Sequence, residues 1–196
     1  MSPAQAADRA YTALKQRLLG GAYPMGFRLE AGRIAEDIHV SVTPVREALH
    51  RLAGQRLVSA VTGDGFYVPI LNEAAIRDLL SWNAHLSLYA LRGRHWPTEI
   101  LAPIEQCDLA ERAASLFRSI ATVSESGELC AAISLNNDRL APLRKADEAI
   151  FIDVVDELSN MEIALAGHNR ELSHLLRTYH RRRKHAAIKY LKHLGS

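Results

Sequence analysis

Residues 30–52, EAGRIAEDIHVSVTPVREALHRL, decide how the first part of this chain is read. Ile34 and Ile38 sit one helical turn apart, and Val45, Leu49 and Leu52 repeat at helical spacing further on. The stretch between them, His39 to Ser41, is too short for anything but a tight turn. Two short helices are therefore expected, one over about Glu30–Ile38 and one capped by Thr43, with Pro44 in its first turn where a missing N–H costs nothing. The second helix would offer Arg46 near its exposed N-terminal end. This is the pattern of a helix-turn-helix, whose second helix lies in the DNA major groove with its first residues against base edges.

Upstream, Ala7, Tyr11, Leu14 and Leu18 mark another helix, which Gly20-Gly21 stops; Pro24 and Gly26 mark a loop. Downstream, the apolar runs LVSAV (57–61) and FYVPI (66–70) flank Thr62-Gly63-Asp64-Gly65. Two strands around a glycine-rich turn form a β-hairpin, the wing of a winged helix. The expected class is mainly α, an N-terminal winged helix-turn-helix followed by an all-helical bundle. Composition changes after Leu71, so the domains are drawn as 1–71, for DNA binding, and 72–196, for dimerisation and effector binding. In the second part helices are expected over about Glu73–Gly93, Thr98–Ala121, from Gly127 to about Asn136, Pro142–Ala166 and Arg170–His193. The breaks fall at His95-Trp96-Pro97 and Ser124-Glu125-Ser126-Gly127. Phe151, Val154, Leu158, Met161 and Leu165 are the expected core stripe of the fourth helix.

A net charge of only +2 gives no strong general affinity for nucleic acid, so DNA binding must come from local charge. The last 25 residues, 172–196, hold 7 of the 24 basic side chains and no acidic one. Within them, residues 180–185 are read as a solvated helix face packed against the acidic helix that contains Asp147, Glu148, Asp153, Asp156 and Glu157. Two cysteines, Cys107 and Cys130, provide neither a disulfide framework nor paired metal spacing, which suits a reducing cytosol. The N-terminus has no apolar signal core and no run reaches membrane-spanning length, so a cytoplasmic protein without membrane contact is expected. No nucleophile–base order, phosphate-cradling loop or carboxylate pair indicates catalysis.

The pieces Gly21 and Gly26 before Arg28-Leu29, then Ile34-Ala35-Glu36, Val40-Ser41, Thr43 through Leu49, and Gly65 with Val68, together resemble the DNA-binding domain of the GntR family of bacterial transcriptional regulators. They cover about residues 8–70. The resemblance implies a dimer that binds a pseudo-palindromic operator, most simply as a repressor released by a small-molecule effector. The DNA-contacting set it implies is Ser41, Val42, Thr43, Arg46, Gly63 and Gly65; Arg33 and Arg51 join it on charge. Family members usually carry arginine where this chain has Val42. Valine cannot form the bidentate bond to guanine, worth about 1–3 kcal/mol of discrimination, although it can touch a thymine methyl. A different operator, or weaker specificity, follows.

The second part resembles, in part, the effector domain of the FadR-type branch of that family. Asp156 and Asn160, followed by Ala166 through Leu172, fall on its metal-ligand segment, with asparagine where the family has histidine. His185 stands near the next family histidine, and Asn83 and Ser87 replace an arginine and a glutamate. The effector-pocket set on this resemblance is Asn83, Asp156, Asn160 and His185. No cofactor is assigned: a divalent metal would have to bind where most family ligands are lost. Two alternatives stay open, a regulator whose second domain only dimerises and a metal-dependent enzyme using the C-terminal histidines.

Overall fold

The computed structural model describes residues 3–92, 108–168 and 170–195. The chain divides into two compact units, Met1–Leu71 and Asn72–Leu194. The expected break at His95-Trp96-Pro97, the start of a helix at Thr98, Cys107 and Asn169 of the FadR-like segment lie outside the described residues.

In the first unit, α1 (Pro3–Leu19) buries Ala10, Leu14 and Leu18. It stops where predicted: the Gly21 backbone is left-handed (φ +74°), a conformation that glycine adopts without a Cβ clash. α2 (Ala31–Asp37) and α3 (Val42–Gly54) follow. Between them His39 takes φ +55°, and the Val40 amide bonds back to the Ala35 carbonyl at 3.1 Å. This non-glycine pivot turns the chain inside two residues. Val45, Ala48, Leu49 and Leu52 are fully buried against Leu14, Leu29, Ile34 and Ala35. Ile38, expected inside, is only partly buried. Thr43 does not cap α3: the cap position is Ser41, and Thr43 is the second residue of the helix, with Pro44 next to it. The proline still sits among the first four residues, whose N–H groups have no helical partner in any case.

The wing consists of β1 (Ser59–Val61) and β2 (Gly65–Tyr67), antiparallel with Ala60 opposite Phe66. Its turn closes through the Asp64 amide to the Val61 carbonyl (3.1 Å), with Gly63 at φ +78°. Gly65, placed in the turn by sequence, is the first residue of β2. The loop after α1 adds a third edge that was not foreseen. Leu29 donates to Phe66 at 2.8 Å, and Val68 donates to Phe27 at 2.9 Å.

The second unit is helical throughout its described part, with α4 (Glu73–Ala90), α5 (Leu109–Thr122), α6 (Gly127–Ile150), α7 (Val154–Ala166), α8 (Glu171–His185) and α9 (Ala187–Leu194). Asn72, Asp108 and Ser126 cap α4, α5 and α6 by accepting backbone N–H bonds. Phe117, Ile120, Ile133, Leu158, Met161, Leu172 and Leu176 form the centre of the core.

Two helix boundaries differ from expectation. No break occurs between Asn136 and Pro142: α6 runs through the proline, and the chain breaks instead at Phe151, which is extended (φ −128°, ψ 125°). Pro142 removes one backbone bond, but Leu140 and Leu143 on either side are buried, and their packing outweighs that loss. The second difference is a bend at Ala186, which separates α8 from α9 with no glycine or proline. The bend turns Tyr190 inward, where its hydroxyl donates to Asp147.

Candidate nucleic-acid interface and the polar core of the helical unit

α3 separates its residues cleanly. Val45, Ala48, Leu49 and Leu52 point into the core, leaving Ser41, Val42, Thr43, Arg46, Glu47 and His50 exposed along the opposite face. Among the described residues Arg46 has no hydrogen-bond or ion-pair partner, so its guanidinium is unengaged. His50, absent from the sequence-derived set, extends the same stripe one turn further and packs its ring edge-on against Phe66 of the wing, 4.9 Å between centroids. Its helical spacing from Arg46 could have found it.

The two arginines chosen on charge alone are both engaged. Arg33 pairs with Glu30 at 3.1 Å and remains highly exposed. Arg51 bonds Asp8 of α1 at 2.8 Å and stacks over the Tyr11 ring at 4.1 Å. Arg51 thereby braces α3 against α1, and a phosphate would have to compete with Asp8 for it.

At the wing tip a Cβ on Gly63 would meet nothing within 4 Å, so the backbone there is open to a partner. Gly65 lies behind it, beside the Arg28 guanidinium. Arg28 donates to the Asp64 carbonyl at 2.7 Å, and Tyr67 donates to the Asp64 carboxylate at 2.8 Å. That bond to Asp64 raises the Tyr67 pKa. Arg28, noted in sequence only for its position, is the residue that holds the wing turn in shape.

In the helical unit the four residues of the expected effector pocket are not brought together. Asn83 is fully buried on α4, whereas Asp156 and Asn160 are exposed on α7 and His185 is exposed at the end of α8. Among the described residues no three His, Cys, Asp or Glu side chains meet as a metal cluster. Of the FadR-like ligand positions, Asp156 and His185 are on exposed faces and Asn160 offers a neutral amide, a poor donor set for a divalent metal.

What does converge is a different polar set. Arg183 is buried on α8; its Nε donates to Asp147 of α6 at 2.9 Å and its Nη1 donates to Glu157 of α7 at 2.7 Å. Its guanidinium also lies 3.4 Å from the centroid of the Tyr179 ring. Burial alone would depress the Arg183 pKa, but the surrounding Tyr179, Asp147 and Glu157 hold it above its usual value. Burial pushes the Asp147 pKa up, and Arg183 opposes that shift. Next to Arg183, Arg182 bridges Asp153 at 2.6 Å and Glu157 at 3.0 Å. The basic run thus does pack on the acidic helices as read from sequence, but Arg183 is a core residue and not a solvated one.

Arg144 is equally buried. Its pKa is lowered by burial, and its guanidinium sits 4.7 Å over the Phe117 ring. His180 Nδ1 lies 2.7 Å from the Leu176 carbonyl and Nε2 lies 2.9 Å from the Asn83 amide. Burial depresses this histidine to about 3, so the ring is neutral at pH 7. A neutral ring whose Nδ1–H donates to Leu176 must accept at Nε2, so the Asn83 amide presents its nitrogen. This bond ties α4 to α8.

A sequence model of the family described as "Bacterial regulatory proteins, gntR family" matches residues 6–68, the span that holds α1, the helix pair and the wing. The N-terminal unit is a GntR-family helix-turn-helix domain. The chain is 29% identical over 146 residues to the HTH-type transcriptional regulator McbR of Escherichia coli K12, covering 74% of this chain and 63% of McbR. It is 28% identical over 114 residues to the HTH-type transcriptional repressor GlaR of the same organism, covering 52% of each. The aligned regions thus span about half to two thirds of these curated relatives, both of which are named as regulators and neither as an enzyme. Solved structures extend the fold match to the helical unit. A candidate GntR transcriptional regulator from Rhodococcus sp. RHA1 superimposes with a TM-score of 0.77 at 20% identity, covering 93% of this chain and 97% of that one. McbR of E. coli superimposes at 0.69 with 23% identity, covering 96% and 98%. At such identities these two matches show a shared fold, a winged helix-turn-helix plus a helical domain. No helix among the described residues is long and apolar enough to cross a membrane.

Proposed function

We propose that this protein is a cytoplasmic, one-component transcriptional regulator that binds a pseudo-palindromic operator as a homodimer and acts as a repressor. The observation that carries the reading is the face of α3: Ser41, Val42, Thr43 and Arg46 are solvent-exposed, and Arg46 is unengaged, on a helix held by a fully buried opposite face. A recognition helix needs this division, because its base-reading side chains must be desolvated by DNA and not by the protein. Ser41 and Thr43 are placed for phosphates, Arg46 for a base or phosphate, and Gly63 for close backbone approach by the wing. Arg33 and Gly65 stand at the edge of this surface, and Arg51 positions the helix from behind.

The repressor reading rests on the likeness to GlaR, which is named a transcriptional repressor, and the dimer reading on the two-fold logic of operators, in which a symmetric dimer presents two reading heads to two half-sites. The helical unit supplies dimerisation and effector response; an effector regulates only if it binds the DNA-competent and DNA-incompetent forms with different affinity. The test is a gel shift with DNA flanking the protein's own gene, performed beside sedimentation analysis. A retarded band that Arg46→Ala weakens, from a species of twice the chain mass, supports the reading. Equal binding by parent and variant refutes the assignment of α3.

A further inference from the structure

The outer groove between α4 and α8 carries charge and aromatic surface that the DNA-binding reading leaves unused. One wall is α4, where Trp82 and Tyr89 stand two turns apart at 53% and 60% exposure with His85 between them. The other wall is α8, where Arg177, Arg181 and Lys184 recur at i, i+4 and i+7. The cleft holds about 880 Å³, within the range of small-molecule sites, and among the described residues no carboxylate lines it. The contrast within α8 is informative. Arg182 and Arg183 are spent on Asp147, Asp153 and Glu157, whereas among the described residues Arg177, Arg181 and Lys184 have no acidic partner. The floor is firm, because buried His180 there is bonded to Asn83 across the two helices.

We propose that this groove binds an elongated organic polyanion bearing a planar ring, its anionic groups along Arg177, Arg181 and Lys184 and its ring against Trp82 and Tyr89. The three cations span about 10 Å of helix, too long for one carboxylate or phosphate but suited to a chain of them. Guanidinium groups favour phosphate and carboxylate oxygens, and exposed aromatic faces favour stacking on a flat ring. A nucleotide bearing several phosphates is the simplest molecule with both features. A second copy of the chain is a poorer occupant: around a two-fold axis the same patch meets itself, which would set these cations against one another. As a ligand site the groove is independent of the regulator reading; its role as an effector site rests on that reading.

The probe is adenosine triphosphate titrated into the full-length protein in the absence of DNA. The chain has two tryptophans, so Trp96→Phe leaves Trp82 as the only reporter. Saturable change in Trp82 emission is expected, with tripolyphosphate at least about 10-fold weaker because it lacks the ring, and adenosine weaker still because it lacks the charge. Arg177→Gln/Arg181→Gln, both on the surface, should weaken the nucleotide by about 10-fold or more while circular dichroism and melting temperature stay unchanged. No emission change up to about 10 mM nucleotide, a regime of negligible affinity, overturns the proposal. So does tripolyphosphate binding as tightly as the nucleotide, or a double variant that binds like the parent. If the double variant instead lowers the salt dependence of operator binding, the groove is a DNA surface; if it changes the oligomeric state, the groove is an interface between copies. Either result also overturns it. Because the titration contains no DNA, a failed gel shift and a failed titration remain separate outcomes.

Discussion

Val42 and Arg46 stand one helical turn apart on the exposed face of α3, and only Arg46 carries hydrogen-bond donors. Removing them by Arg46→Ala should weaken operator binding by roughly 5- to 150-fold, the equivalent of about 1–3 kcal/mol, as measured by fluorescence anisotropy at fixed salt. If Arg46 contacts a phosphate, the loss will be uniform across sequences; if it reads a base, the loss will concentrate on one operator position. Val42→Arg is the reciprocal experiment. It restores a bidentate donor where the GntR pattern usually has one, and a selection from randomised DNA should show a new guanine preference at one position of each half-site. Operators indistinguishable from those of the parent would remove Val42 from the contact surface.

At the level of single elements, the wing and α6 respond to different forces. Arg28 holds the wing turn through the Asp64 carbonyl, and its side chain is more than half exposed. Arg28→Ala should therefore leave global stability within about 0.5 kcal/mol of the parent and reduce DNA affinity through a looser wing. Melting temperature and anisotropy measured together would distinguish the two. α6 carries Pro142 in its interior at the cost of one backbone hydrogen bond. Pro142→Ala restores that donor and should stabilise the protein by about 1–2 kcal/mol after the greater freedom of the unfolded chain is subtracted. A lower urea midpoint for Pro142→Ala would mean that the ring packs against something worth more than the missing bond.

Whole-molecule stability is set by the buried polar core as well as by the apolar one. Asp147→Asn leaves Arg183 charged in an interior where, among the described residues, Glu157 is the remaining carboxylate paired with it, which should cost about 3–5 kcal/mol in chemical denaturation. His180 adds a pH dependence of definite sign. Its pKa is depressed to about 3 in the fold and is about 6.5 when unfolded, so between these values only the unfolded chain binds the proton. The corresponding stability is complete above pH 6.5 and is lost as pH falls toward 3, at roughly 1.4 kcal/mol per pH unit. His180→Gln should flatten this slope in a series of urea titrations; an unchanged slope would place the acid sensitivity elsewhere.

The helix-turn-helix was legible residue by residue because its information is local. Ile34, Val45, Leu49 and Leu52 show the buried face by spacing, Gly21 the stop and Gly63 the turn, and each acts over one or two helical turns. The exposed face of α3 follows from the same periodicity, which would also have yielded His50. The helical unit was legible only as helix. Pro142 reads as a break but is overruled by the packing of Leu140 and Leu143, and the real bend at Ala186 has no sequence signal, because it serves the distant meeting of Tyr190 with Asp147. Asp156, Asn160 and His185, which a linear pattern groups with Asn83, lie on outward faces while Asn83 points inward. Arg182 and Arg183, adjacent in a run of like charge, differ completely in role: one helical step of 100° puts Arg183 in the core and leaves Arg182 partly exposed. Sequence alone therefore determined the DNA-reading domain, whose contacts are short-range, whereas tertiary structure decided which charges of the helical unit are buried, paired or free, because that depends on helices brought together from far along the chain.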